Sequence, residues 1–332
     1  MTPPRPVLTM GMFDGCHLGH RAVVAETVRW AGETGVPAVA ITFDPHPRTL
    51  AGGTSPALGT LAERVDGLRS LGIGEVCVMR FDRRLQEEPA LLFARRIFRD
   101  RFGASGVALG HSARFGRDRG GDAAWLAAWG AAEGIAVRAV PPVVVDGAPA
   151  SSSRVRGAVG GGRMEEAARL LGRPWSVAGT VARGQALARR LGLPTLNIAP
   201  PPDRLSPPAG VYAGWVWLRE PSAASLRPGP AGEAGAVGRE AVLHVGARPG
   251  GGLPDPPFEA HVFGLEGERY GWAVEFGFGG HLRAPVRFAD EEEARRQLAL
   301  DAEAARRWHL ANRRSGFSGE GPQIQPQQPR IV

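Results

Sequence analysis

The chain has 332 residues, 43% of them hydrophobic, and a formal net charge of +7. That length is too great for one ordinary core and suits two domains. No apolar run approaches the roughly 20 residues that span a bilayer, and residues 1–6 lack the apolar stretch of a signal peptide, so the chain reads as soluble and cytoplasmic, without a membrane partner. Two cysteines, Cys16 and Cys77, make neither a disulfide framework nor a zinc spacing. Every basic residue is arginine; these are scattered and accompany no nucleic-acid-binding motif, so no nucleic-acid partner is expected.

In chain order, residues 6–10 read as a strand and 20–32 as a helix, with Val23, Val24, Thr27 and Val28 at helical spacing. A buried strand follows at 36–43, a helix at 61–71 and a strand at 75–80. Residues 89–102 read as one helix, 105–109 as a strand, 122–133 as a helix and 135–140 as a strand. This alternation predicts an α/β domain, a doubly wound parallel sheet covered on both faces. The character changes near Gly172. Short strand-like runs appear at 176–181, 210–218, 240–245, 258–263 and 273–278, and the next long helix is 290–308. This half reads as all-β, a barrel or sandwich with one closing helix. Residues 221–239, rich in Pro, Gly and Ala, read as a flexible loop, and the polar tail 315–332 as disordered.

The first chemical constellation is Gly11-Met12-Phe13-Asp14-Gly15-Cys16-His17-Leu18-Gly19-His20. It follows a strand and opens a helix. Its glycines allow close approach of a ligand. His17 and His20 are spaced to share one helix face. A helix N-terminus adds N–H donors and a positive dipole end. Together these would stabilise an α-phosphate under in-line attack by another phosphate, with no enzyme nucleophile needed. A second element, Ser151-Ser152-Ser153-Arg154-Val155-Arg156, offers hydroxyls and guanidiniums before a helix expected to reach Leu171. In the second half, Thr195 and Asn197 flank one residue and can both turn oxygens to a Mg²⁺–phosphate complex. Glu259 and His261 share a strand face, where a carboxylate could take a proton from an attacking hydroxyl. A surface acid on an exposed strand would carry the same pattern.

These motifs, in this order from Val7 to Trp308, resemble the prokaryotic bifunctional riboflavin kinase/FMN adenylyltransferase family, also called FAD synthetase. GMFDGCHLGH resembles its GxFDGxHxGH motif, TFDPHP at 42–47 its TF(D/E)PHP segment, and SSSRVR its SSTxIR motif. The LLGRPW at 170–175 is similar to its interdomain junction, and PTLN at 194–197 to its kinase PTAN motif. The resemblance implies a nucleotidyltransferase domain over 1–172, a riboflavin-kinase-like antiparallel β-barrel over 175–312, and a tail over 313–332. It implies ATP and flavin as small-molecule substrates and Mg²⁺ as cofactor, and leaves self-association open. By this mapping His17, His20 and Glu259 are catalytic. Gly11, Phe13, Asp14, Gly15, Ser152, Ser153, Arg156, Arg183 and Arg189 bind nucleotide. Ser112, Phe115 and Arg283 bind flavin, and Thr195 and Asn197 carry the metal.

Several positions depart from the family pattern. Ser112-Ala113 stand where Asn or Asp and an aromatic are usual, and Pro149 where a basic residue is common. The usual NIG reads His244-Val245-Gly246, and RPT reads Arg248-Pro249-Gly250. These positions surround the expected acceptor and nucleotide pockets. The alternative expectation is therefore a divergent nucleotidyltransferase for a modified flavin or another phosphorylated acceptor, or a member with one inactive half.

Overall fold

A computed structural model describes residues 5–46, 56–183, 193–199, 204–219, 238–246 and 258–312. Arg189, Arg248-Pro249-Gly250, residues 221–237 of the loop expected over 221–239 and the tail from 313 lie outside the described residues, and Arg239 opens a strand. The chain divides into two compact units, Met1–Val155 and Arg156–Val332, ahead of the expected boundary at residue 172. Among the described residues no helix is long and apolar enough to cross a membrane.

The first unit is built on five parallel strands: β1 (Val7–Met10), β2 (Ala38–Asp44), β3 (Glu75–Arg80), β4 (Gly106–Gly110) and β5 (Ala136–Val140), in the order β3-β2-β1-β4-β5. β1 pairs on one side with β2 and on the other with β4, so the winding reverses there. All four β1 residues are buried, because alternate side chains enter different cores. Leu8, Met10, Val39 and Ile41 pack with Phe93, Phe98 and Leu126. Val7, Ala38 and Ala40 pack with Val24, Trp30 and Leu68. Both faces are therefore covered, as the alternation predicts. The helix expected over 89–102 runs as Ala90–Ala94 and then opens into a π-helical segment, Arg95–Arg101, with Phe102 N–H donating to Ile97 O at 3.2 Å. Apolar spacing does not separate these two forms, since either buries Ile97 and Phe98.

The helix expected from the serine run to Leu171 is two helices, Ser152–Gly160 and Met164–Leu171. The break is chemical. Gly162 takes φ +72°, a left-handed conformation cheap only for glycine, and Gly161 N–H returns to Gly157 O.

The second unit is a six-stranded antiparallel sheet: β8 (Trp175–Thr180), β9 (Leu196–Ile198), β10 (Gly210–Arg219), β11 (Arg239–Val245), β12 (Phe258–Val262) and β13 (Ala273–Arg283). Its order is β8-β13-β10-β11-β12-β9. A bridge between Ala182 and Asn197 joins the two edges, so the sheet is a nearly closed barrel rather than a sandwich. Inside, the Trp175, Tyr212 and Phe258 rings gather on Phe278 at 5.3, 5.4 and 5.7 Å. Outside, helix Glu291–Asn312 lays Ala305 and Trp308 on Val211, Ala213 and Val242.

Closure depends on small residues. A Cβ at Gly214 would lie 2.2 Å from the Gly277 carbonyl oxygen and 2.6 Å from Leu243 Cδ1. Backbone of the neighbouring strand cannot yield as a side-chain tip does. Gly214→Ala is therefore expected to cost about 1–3 kcal/mol, read as a lowered midpoint in denaturant unfolding of the kinase-like unit. An unchanged midpoint would refute the close-packing argument.

Candidate functional site

In the first unit, β1 delivers the chain into residues 11–17 at the carboxyl edge of the sheet. Phe13 and Cys16 adopt φ +49° and +43° and Gly15 +79°, folding the segment back on itself. His17 caps helix Leu18–Thr34, its Nδ1 accepting from His20 N–H at 3.4 Å. The two imidazoles stack with centroids 3.7 Å apart, and Phe13 meets His20 edge-on at 5.3 Å. Gly19 leaves room beside them, since a Cβ there would make a tight contact of 3.1 Å with the His17 ring. Burial holds His17 down at about 4 against the partial pull of Asp14. Burial and then neighbouring His17 push His20 well below the usual imidazole range. Both rings are therefore neutral near pH 7, and each offers one N–H to a phosphate oxygen.

The sign of the pH effect follows. Between about 4 and 6.5 the unfolded chain holds a proton on His17 that the folded chain lacks. Stability contributed by neutral His17 is complete above pH 6.5 and lost as pH falls toward 4, by about 3 kcal/mol. Denaturation midpoints between pH 7 and 4 check this. A His17→Asn variant should show a shallower decline, and an equal decline would rule the group out.

A cavity of about 990 Å³ opens at this edge, lined by Met10, Phe43, Gly110 and Val140 at the ends of β1, β2, β4 and β5. That is the topological switch point of the sheet, where open α/β folds bind ligands. Gly11, Phe13, His17, His20 and Ser112 also line it, and Arg83, Arg114, Arg117 and Arg119 add positive charge. Phe115 reaches the cavity, but its ring is also packed on Phe93, Phe98 and Trp125 at 5.7–5.9 Å. Other residues of the motifs lie behind the wall. The buried Asp14 carboxylate accepts from Leu58 and Gly59 N–H at 3.1 Å, and the Asp14 carbonyl accepts from Ser152 Oγ at 2.9 Å. Ser153 is exposed, and Arg156 is half-buried one helical turn beyond Ser152. Arg154 donates to the carbonyls of Val145, Ala148 and Pro149, holding the hairpin β6 (Val144–Val145) and β7 (Ala148–Pro149).

Arg64 was absent from the sequence-based site. It lies on helix Leu61–Ser70, whose Thr60–Glu63 capping box is legible in the sequence. Its guanidinium is 7% exposed and donates to Met12 O at 3.1 Å and Phe43 O at 3.0 Å, tying the histidine loop to the end of β2. No local pattern marks these long-range acceptors. Arg64→Met would remove both bonds and leave Met12 O only the Thr42 hydroxyl at 3.3 Å, at roughly 1–3 kcal/mol in all. The expected result is a lowered first unfolding transition and slowed adenylyl transfer, and normal values of both would show that Arg64 does not brace the loop.

In the second unit, Glu259 on β12 is the register partner of Asn197 on β9. Thr195 Oγ1 donates to Glu259 Oε2 at 3.3 Å, and Asn197 Nδ2 to Thr195 O at 3.3 Å. The Asn197 Oδ1 atom is buried with no hydrogen-bond partner among the described residues. His261 Nδ1 bonds Pro194 O at 2.9 Å and so anchors the Thr195 segment. An orphaned carbonyl oxygen and a hydroxyl side by side are hard oxygen donors, which suit a divalent cation, and the Glu259 carboxylate stands next to them. The Arg183 guanidinium is exposed and stands over the Tyr270 ring at 5.4 Å. Arg283 is closed on the buried Asp301 carboxylate in a two-pronged pair, with Nε to Oδ1 at 2.6 Å. His244 is held at about 4 by burial, with Asp301 raising it and Arg283 and His261 lowering it further.

Residues 1–154 match the FAD synthetase family and residues 171–309 the riboflavin kinase family. The bifunctional riboflavin kinase/FMN adenylyltransferase of Pseudomonas fluorescens is 35% identical over 302 residues, covering 90% of this chain and 92% of that protein. The chain belongs to the bifunctional riboflavin kinase/FMN adenylyltransferase family. The family member of Escherichia coli K12 is 31% identical over 303 residues, 90% of this chain and 91% of its own. A crystal structure of a macrolide-efflux protein from Streptococcus pneumoniae has a similar fold, with a TM-score of 0.77 and 27% identity, over 93% of this chain and 96% of that one. Family membership accounts for finding a parallel-sheet unit with an HxGH loop and a barrel with a PTxN segment in one polypeptide.

Proposed function

We propose that the chain makes FAD from riboflavin in two ATP-dependent steps, with residues 1–172 as the adenylyltransferase and 175–312 as the kinase. The observation that carries this reading is the presence in one chain of both constellations, His17/His20 on a large cavity and Thr195/Asn197/Glu259 on the barrel.

In the kinase, Glu259 takes the proton of the riboflavin 5′-hydroxyl as its oxygen attacks the γ-phosphorus of ATP. The bond to the β–γ bridging oxygen breaks and ADP leaves. Thr195 and Asn197 would hold Mg²⁺, which supplies charge neutralisation at the ATP phosphates; the orphaned Asn197 Oδ1 supports this. Arg183 and Arg189 support the nucleotide. In the transferase, a phosphate oxygen of FMN attacks the α-phosphorus of ATP and pyrophosphate leaves. His17 and His20 donate to the non-bridging oxygens where charge accumulates. Gly11 and Phe13 shape the nucleotide pocket. Asp14, Gly15 and Ser152 hold the loop that carries the histidines, and Ser153 and Arg156 meet the phosphates. Ser112 and Phe115 face the flavin in this unit, and Arg283 supports it in the barrel. Access to ATP and free riboflavin places the protein in the cytoplasm.

The test is incubation with ATP, Mg²⁺ and either riboflavin or FMN, with products separated by chromatography. FMN and FAD from riboflavin, and FAD from FMN, are expected; chelation with EDTA should stop both. FMN production without FAD would confine activity to the barrel. The cavity-lining Ser112 then favours a different phosphorylated acceptor for the first unit.

A further inference from the structure

Five register-matched positions form one row across the barrel. Arg283 on β13 pairs with Val211 on β10, Val211 with His244 on β11, His244 with Glu259 on β12, and Glu259 with Asn197 on β9. Cross-strand partners carry their side chains on the same face. Neighbouring strands lie about 4.8 Å apart, so the row sets its functional groups in fixed sequence. Oxygens suited to a cation and phosphates are at one end, with Glu259 beside them. The Arg283–Asp301 pair is at the other. Between the base and that pair stand only His244 and apolar Val211.

His244 is partly buried and its ring makes no hydrogen bond among the described residues. The charged and titratable groups around it are Asp301 on the C-terminal helix, Arg283 on β13, and His261 and Glu259 on β12. Burial holds it down at about 4, so the ring is neutral near pH 7. A neutral imidazole presents one N–H and one acceptor nitrogen. That pair matches a hydroxyl, which both accepts and donates, better than a phosphate, which only accepts. The guanidinium farther along the row is already engaged by Asp301 and by Ala284 O.

We infer that His244 is the acceptor-side contact of the kinase site, hydrogen-bonding a ribityl hydroxyl of the riboflavin whose 5′-hydroxyl lies at Glu259. This rests on the kinase reading above. The reacting hydroxyl ends a polyol chain. With phosphates on the Asn197 side of Glu259, the rest of that chain runs to the other side, and the first polar group it meets there is His244.

The experiment uses the full chain with ATP, Mg²⁺ and riboflavin, comparing wild type with Glu259→Gln, His244→Ala, His244→Asn and His244→Phe. Lumiflavin, the ring system without the ribityl chain, serves as competitive inhibitor. His244→Ala should raise the riboflavin KM about tenfold, the size of one lost hydrogen bond, with the ATP KM and lumiflavin inhibition unchanged. His244→Asn should recover most of the loss and His244→Phe none. An unchanged riboflavin KM in His244→Ala overturns the assignment. So does a parallel weakening of lumiflavin, which would mean that the ring pocket itself had been disturbed. A wild-type chain that leaves riboflavin unphosphorylated, or a fully active Glu259→Gln chain, overturns the underlying kinase reading and His244's role with it. Those failures appear without any substitution at position 244.

Discussion

His20→Ala should lower the kcat for FAD formation from FMN by about 10²–10³-fold while riboflavin phosphorylation by the same polypeptide continues at its normal rate. The imidazole lies on the cavity, stacked 3.7 Å from His17, with a buried Nδ1 that has no partner among the described residues. Its contribution is expected where negative charge grows at the α-phosphate, so loss should appear in kcat more than in KM. His17→Ala should be equally inactive but is the less clean variant. His17 also caps helix Leu18–Thr34, and losing a cap costs about 1 kcal/mol. Measuring FMN and FAD in one assay supplies the control, because kinase turnover reports intact enzyme. FAD formation within a few-fold of wild type in His20→Ala would remove the histidine pair from the mechanism.

The converse variant is Glu259→Gln. Gln retains an acceptor for the Thr195 hydroxyl, now 3.3 Å from Oε2, and the β9–β12 register has no reason to change. What is lost is the proton acceptor. Riboflavin phosphorylation should fall by about 10²–10⁴-fold, while FAD formation from supplied FMN is unaffected. Retained phosphorylation would show that Glu259 is a strand residue with no chemical role. A simultaneous loss of both activities would point to damage beyond the barrel site.

Much of this site was legible in residue order. HxGH at a strand-to-helix junction specifies local geometry: His17 as the N-cap and His20 in the first turn are brought together by the cap itself, His17 Nδ1 accepting from His20 N–H. Glu259 and His261 share a face through the two-residue period of a strand. The partners of these groups were not legible. Asp14 reads as a pocket residue beside the histidines, yet its carboxylate turns to Leu58 and Gly59 N–H. Arg283 reads as a flavin contact, and its guanidinium closes on Asp301. In each case the deciding partner is distant in sequence, and a buried charge takes whatever hydrogen-bonding group the fold brings to it.

The sequence by itself determined the two fold classes, through the alternation of strand and helix periods in one half and closely spaced strands in the other. It determined the family and the local grouping of each motif as well. Tertiary structure alone decided that the barrel closes through Ala182 and Asn197, and that Arg64 braces the histidine loop from behind. It alone placed His244 beside Glu259. The physical reason is common to all three. Local periodicity sets which face a side chain occupies. Strand register and helix docking, settled by packing over the whole unit, set what that face meets.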